Sequence, residues 1–225
     1  PNPEILELLE ERGLGFECVS PGEVRHLLEL FPEIDRERLL FTPNFAPRSE
    51  YEFGFEEGVW MTVDNLHPLE RWPELFEGRE ILVRLDPGRG RGHHEYVRTA
   101  GPQSKFGVSP AQLDQLERLR DELDLSIVGL HAHLGSGIKA PESWAETGMH
   151  LAEMAERFDD VEILNLGGGL GVPTGTDQTP LDVDAVSENL GSLAEAHPEY
   201  EFWLEPGRFL VAEAGVLLAR VTQTK

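Results

Sequence analysis

The sequence holds a single cysteine, Cys18, and only three lysines, Lys105, Lys139 and Lys225. One thiol cannot close an intramolecular disulfide, so a disulfide-stapled secreted scaffold is excluded and a reducing, cytoplasmic setting is expected. No apolar run approaches the roughly 18–20 residues that a helical bilayer crossing needs, so no membrane-spanning helix is expected. No basic-then-apolar leader opens the chain. It opens on Pro1 without an initiator methionine, and from this we expect a piece of a longer protein. Positive charge is scarce too: 19 Lys and Arg face 42 Asp and Glu, a net charge of −23. Nucleic acid and anionic membranes would be repelled by such a surface, and neither is expected as a partner. The acid excess with little lysine reads either as a salt-adapted surface or as an ordinary acidic one.

What is present is an ordinary globular composition: 225 residues, 40% of them hydrophobic, enough for one large domain with a buried core. Short runs rich in Val, Ile, Leu and Phe recur at Phe16–Ser20, Leu39–Pro43, Val59–Asp64, Ile81–Pro87, Ser126–Ser136, Val161–Gly169 and Glu201–Gly207. Most lack strict in/out alternation, as strands covered on both faces of a parallel sheet do. Helical spacing fills the gaps. Ser20-Pro-Gly-Glu23, Ser109-Pro-Ala-Gln112 and Ser143-Trp-Ala-Glu146 read as capping boxes that start helices, and a further helix is expected from about Asp184 to Ala196. Seven strands alternating with helices fit a parallel α/β domain, either a (β/α)8 TIM barrel or an open doubly wound sheet. A helix at Pro3–Arg12 precedes the first visible strand, which implies another strand upstream and makes eight, the barrel number. The expected fold is therefore an incomplete TIM barrel. The glycine-rich loop Gly88–His94 reads as a substrate-facing lid or as a solvated connection.

In a barrel, reactive groups sit at the C-terminal ends of strands. Three consecutive ends are unusual here: His131-Ala-His133-Leu-Gly-Ser136, Asn165-Leu-Gly167-Gly168-Gly169-Leu-Gly171 and Glu205-Pro-Gly207-Arg208. The glycine triplet lets backbone N–H groups converge on an anion, and Ser136, Gly207 and Arg208 would add a hydroxyl, an amide and a guanidinium for a phosphate. His131 and His133, two apart, could be satisfied interior histidines, metal ligands, or, for His133, a flat ring packed on a planar cofactor. Further metal ligands at later strand ends are missing, so no metal is expected. Glu205 could act as a base, a metal ligand or the partner of a protonated heterocycle.

Together, Gly129-Leu-His-Ala-His133-Leu-Gly-Ser136-Gly, Asn165-Leu-Gly-Gly-Gly169-Leu-Gly and Glu205-Pro-Gly-Arg208 resemble the fold-type III, pyridoxal-phosphate-dependent amino-acid decarboxylases, and within them the branch acting on meso-diaminopimelate. Phe41-Thr-Pro-Asn44, Thr62-Val-Asp-Asn65 and Ser104-Lys-Phe-Gly-Val108 support the likeness, which covers essentially the whole chain. It implies a carboxy-lyase of lysine biosynthesis with pyridoxal 5'-phosphate as cofactor and an amino acid as substrate. His133 would stack on the pyridoxal ring as the catalytic histidine. Ser136, Gly167, Gly168, Gly169 and Gly207 would hold the phosphate, and Glu205 would hydrogen-bond the ring nitrogen. Arg208 would meet the phosphate or a substrate carboxylate. Siblings acting on arginine, ornithine or carboxynorspermidine, and a non-catalytic cofactor-binding homologue, share these motifs.

The same resemblance places the family's cofactor-bearing lysine just upstream of Pro1, and its catalytic cysteine in a C-terminal β domain. None of the three lysines, nor Cys18, matches those positions. Residues 1–215 are thus expected to form the cofactor-binding barrel and 216–225 to begin the connection to that second domain. The resemblance further implies a homodimer at full length and, from the phrasing of Phe41 through Val108, an aspartate kinase fused on the same chain.

Overall fold

In the computed structural model the residues described are 2–88, 105–175 and 177–224. The elements run α1 (Pro3–Glu11), β1 (Phe16–Cys18), α2 (Pro21–Leu30), β2 (Leu39–Phe41), α3 (Arg48–Glu57), β3 (Trp60–Val63), α4 (His67–Arg71), α5 (Pro73–Phe76), β4 (Glu80–Arg84), α6 (Leu113–Leu123), β5 (Ser126–His131), α7 (Ser143–Ala155), β6 (Ile163–Asn165), α8 (Val183–Ala196), β7 (Glu201–Trp203) and α9 (Gly207–Val211). All seven strands are parallel and lie in sheet order β1 to β7. A doubly wound sheet would reverse that order at a switch point. The unbroken sequence is the winding of a (β/α)8 barrel, here a seven-stranded partial one whose described edges are β1 and β7.

Register and alternation give the sheet two faces. Cys18, Phe41, Met61, Val63, Val83, Leu130 and Leu164 point toward the helices and join the main core, where all are buried. The concave face carries a second, smaller apolar cluster of Leu40, Leu82 and Ile163, with Trp60, Val128 and Trp203 against it. Gly129 sits between Leu82 and Ile163 in register, and a Cβ there would lie 2.8 Å from Leu82 Cγ and 3.1 Å from Ile163 Cβ. Interior side chains stack in layers, as a packed barrel requires. Above the apolar layer, toward the strand C-termini, the same face turns polar.

Of the three expected capping boxes, the one at Ser109 forms and the one at Ser20 forms in part, its glutamate reaching the residue before the cap. Ser20 Oγ accepts from the Glu23 amide at 3.4 Å, and Glu23 reaches back to the Val19 amide at 2.8 Å. Gln112 Oε1 accepts from the Ser109 amide at 3.2 Å, on a 3-10 turn (Pro110–Gln112) that leads into α6. The third is a correction. Ser143 lies inside the first turn of α7, fully buried, and Glu142 takes the cap position, its side chain not capping the helix. Glu142 already has helical backbone angles, φ −70° and ψ −14°, so the helix starts before Ser143 could cap it from an extended backbone. Helix α8 starts one residue early because Asp182 caps it through the Ala185 amide at 3.0 Å. The strands at Ser126, Val161 and Glu201 stop well short of their expected ends, at His131, Asn165 and Trp203. Their polar, glycine-rich tips leave the ladder and build the rim instead. Of the Gly88–His94 loop, residues 89–94 lie outside the described residues.

Candidate functional site at the strand C-termini

Arg84, His131 and Asn165 are register partners on β4, β5 and β6, and each is the last residue of its strand. All three are buried, so one row across the sheet ends in a cation, an imidazole and an amide. Two residues beyond β7, Glu205 closes on this row. The Glu205 amide donates to Gly167 O at 3.0 Å, and Asn165 Nδ2 donates to Glu205 Oε1 at 2.8 Å. The Gly167 amide in turn donates to Asn165 Oδ1 at 2.9 Å. Asn165 therefore ties the glycine loop to the β7 tip with both ends of its amide.

The glycine loop also meets the β5 tip. The Gly168 amide donates to His133 Nδ1 at 3.2 Å, and Trp144 Nε1 on α7 donates to Gly168 O at 3.0 Å. Only glycine fits this crossing. A Cβ on Gly168 would lie 2.1 Å from Glu205 O, and one on Gly169, at φ +86°, would lie 2.1 Å from Gly135 O. The triplet is what allows three strand tips to touch. His133, Gly168 and Glu205 thus share one rim. Ser136 is half-buried between Gly135 and Gly137 on the β5 tip. Gly207 and Arg208 are exposed at the start of α9, and the Gly207 amide donates to Glu205 O at 2.9 Å.

Charge at the rim centres on Arg84. Burial weakens its hold on its proton, while Glu205, Asp64, Glu17 and Asp86 act the other way. Its Nη1 donates to Asn44 Oδ1 at 3.1 Å, and its guanidinium lies 4.7 Å from the centre of the Phe106 ring. Burial raises the Glu205 carboxyl, with Asn165 and Arg84 opposing. Glu17 is exposed as a residue, yet its carboxyl turns onto the concave face. Crowding there, and then the Glu205 charge, pushes it up to about 8. Asp64 is fully buried, its Oδ2 without a hydrogen-bond partner among the described residues, and burial raises it as well. Burial, then Arg84, lowers His133 to about 4 and holds His131 well below its ordinary range. Arg84, Asp64 and Glu17 were not among the expected site residues. Their signal was a lone charge inside or just after an apolar strand run, as in Ile81-Leu-Val-Arg84-Leu. Among the described residues, no group of three or more His, Cys, Asp or Glu side chains is placed to hold a metal.

A barrel whose strand tips bring a histidine, a glycine triplet and a glutamate to one rim is the frame of a cofactor-binding domain, and residues 1–212 match the family described as pyridoxal-dependent decarboxylase, pyridoxal binding domain. The chain belongs to that family. Curated relatives carry a more particular name. The diaminopimelate decarboxylase of Methanothermobacter thermautotrophicus is 37% identical over 236 residues, covering 100% of this chain and 55% of the relative. That of Streptomyces coelicolor is 33% identical, covering 100% of this chain and 52% of the relative. Among solved structures, the Helicobacter pylori diaminopimelate decarboxylase complexed with L-lysine superposes with a TM-score of 0.81 over 94% of this chain and 55% of that one. At 23% identity that likeness speaks to the fold. The chain spans about half the length of the curated relatives it matches.

Proposed function

We propose that this chain is the cofactor-holding barrel of a pyridoxal-phosphate-dependent carboxy-lyase that converts meso-diaminopimelate to lysine. One observation carries the reading: the glycine loop ties three strand tips together at one rim, Gly168 donating to His133 Nδ1 and Gly167 accepting from the Glu205 amide, while Asn165 holds the Glu205 carboxyl. Whole-chain identity of 37% to a relative named for that activity supports the substrate.

The residues present fit the cofactor. Glu205 is a buried carboxyl with a raised proton affinity, which suits a partner that carries a proton, as a pyridine nitrogen can. His133 offers a ring whose plane is fixed by the Gly168 amide. Gly167, Gly168 and Gly169 keep side chains away from the space a phosphate would use, with Ser136 beside them. Arg208, exposed and without a side-chain partner among the described residues, suits either the phosphate or a substrate carboxylate. Gly207 would first have to release its amide from Glu205 O. When bound, pyridoxal phosphate supplies the electron sink for the electrons left behind as CO2 departs. Glu205 would face the ring nitrogen and hold a proton on that atom, and His133 would exclude water from one ring face.

We further propose that residues 1–215 form this barrel and that 216–225 lead into a second domain. Val216, Leu217, Leu218 and Val221 are all largely exposed apolar residues with nothing packed on them among the described residues. A homodimer at full length, a cytoplasmic setting and a fused aspartate kinase belong to the same reading. Light scattering, fractionation and the parent chain's length test them in turn.

The decisive experiment supplies the full-length protein with pyridoxal phosphate and offers meso-diaminopimelate, arginine, ornithine and carboxynorspermidine separately. CO2 is expected from meso-diaminopimelate. Release from another of the four alone would reassign the substrate, cofactor uptake with no release would make the protein a non-catalytic homologue, and no uptake would overturn the reading.

A further inference from the structure

His131 is 2% exposed, and among the described residues neither ring nitrogen has a hydrogen-bond partner. An imidazole buried in that way is a poor choice for a core position that Leu or Phe would fill without loss. Its placement suggests what it is for. His131 and Asn165 are register partners on neighbouring strands, and both face the Glu205 carboxyl. Asn165 Nδ2 holds Oε1 at 2.8 Å, while His131 Nε2 stands 3.7 Å from Oε2, just outside hydrogen-bonding range.

We propose that His131 is a positioning residue for Glu205: as a neutral imidazole it presents Nε2–H to Oε2, opposite the grip of Asn165 on Oε1, and so fixes the orientation in which the carboxyl meets the cofactor. The inference rests on the reading of Glu205 given above. Burial, with the neighbouring Arg84 and His133, keeps the imidazole uncharged, so it donates to the carboxylate without neutralising it. The carboxylate then keeps its charge for the ring nitrogen. Asn165 alone would leave rotation about the bond to the carboxyl group open, and a second donor from the adjacent strand closes it.

The test uses the full-length holoenzyme and three substitutions, His131→Leu, His131→Gln and His131→Asn, beside Glu205→Gln. Two readouts are followed besides turnover: the cofactor dissociation constant, and the pH midpoint of the bound cofactor's visible band. His131→Leu is expected to weaken cofactor binding about tenfold and to move the midpoint by about one pH unit, the scale of one lost hydrogen bond to a charged group. Gln, whose amide nitrogen reaches the position of Nε2, should restore both, and Asn, one carbon shorter, should not. A Leu variant with wild-type affinity and midpoint would overturn the inference. Should the Leu variant not fold, equal values for Gln and Asn would overturn it instead. Glu205→Gln separates the two claims: if it leaves both readouts unchanged, the reading of Glu205 fails; if it disturbs them while His131→Leu does not, only the positioning role is lost.

Discussion

The backbone amide of Gly168 donates to Nδ1 of His133 at 3.2 Å. That bond requires a lone pair on Nδ1, so the ring is neutral and its proton sits on Nε2. A hydrogen bond from the glycine loop therefore fixes the tautomer and the ring plane together. Burial, and then the Arg84 charge, lowers the ring to about 4 from an ordinary 6.5. The unfolded histidine takes up a proton near 6.5 while the folded ring still refuses it. Between those values the unfolded state binds more protons, so stability falls as pH drops from about 6.5 toward 4. His131 shifts in the same direction. The raised carboxyls act the other way on both proteins, so the test is the difference between them: in thermal melts the midpoint of His133→Gln relative to the wild type should rise between pH 7 and pH 5. Parallel melting-point curves for the two proteins would count against it.

The glycine triplet gives a sharper steric test. A Cβ at Gly168 meets the Glu205 carbonyl oxygen, a backbone atom that cannot swing aside. Gly168→Ala should cost about 1–3 kcal/mol, the usual scale of overpacking. Gly191, inside α8, has nothing within 4 Å of its would-be Cβ. There the alanine should be neutral or stabilise by up to about 1 kcal/mol through helix propensity. Denaturant midpoints of the two variants should move in opposite directions, and a shift of the same sign and size in both would refute the argument.

Most of this architecture was written in the residues. Strand-length apolar runs and helix starts such as Ser20–Glu23 are local signals, and their alternation pointed to a parallel α/β domain; the unbroken sheet order that makes it a barrel is seen in the fold. The tip motifs were legible as well, since His133, the glycine triplet and Glu205 stand at predictable ends of predicted strands. What stayed hidden was register. Arg84, His131 and Asn165 form a row only because β4, β5 and β6 align residue for residue, and no single strand records its neighbour's alignment. Ser143 misled for the opposite reason: it has the right residue types at the right spacing, but Glu142 before it already has helical backbone angles and takes the cap position. The meaning of Glu17 depended on Glu205, 188 residues away in sequence, folding over the same face.

The surface carries a third prediction. A net charge of −23 leaves most carboxylates without a cationic partner, since there are 42 of them to 19 Lys and Arg. Like charges spread over a compact body repel, and salt screens them within a Debye length of about 8–10 Å near physiological strength. Potassium chloride should raise the melting temperature steadily from about 0.05 M to about 1 M, roughly the range over which the Debye length shrinks to about 3 Å. A neutral osmolyte matched for water activity should not reproduce the salt-specific part of the rise. Equal effects from the two would point to solvent exclusion rather than charge.

Glu17 provides the test that runs against the histidines. Crowding on the concave face, and then the Glu205 charge, raises its carboxyl from 4.5 to about 8. Folded Glu17 therefore keeps its proton where the unfolded chain has lost it. The stability it contributes is complete below about 4.5 and drains away as pH climbs toward 8. From 4.5 to 6.5 this loss opposes the gain from His133; above 6.5 the histidine contribution is constant and only the raised carboxyls still act. Gln copies the shape and neutrality of the protonated acid. Glu17→Gln should thus melt close to the wild type near pH 5 and above it at pH 8, so that the two curves separate only on the alkaline side. Curves that stay parallel across that range would mean that Glu17 and Glu205 do not share a field, and the concave rim would then be less crowded than its geometry indicates.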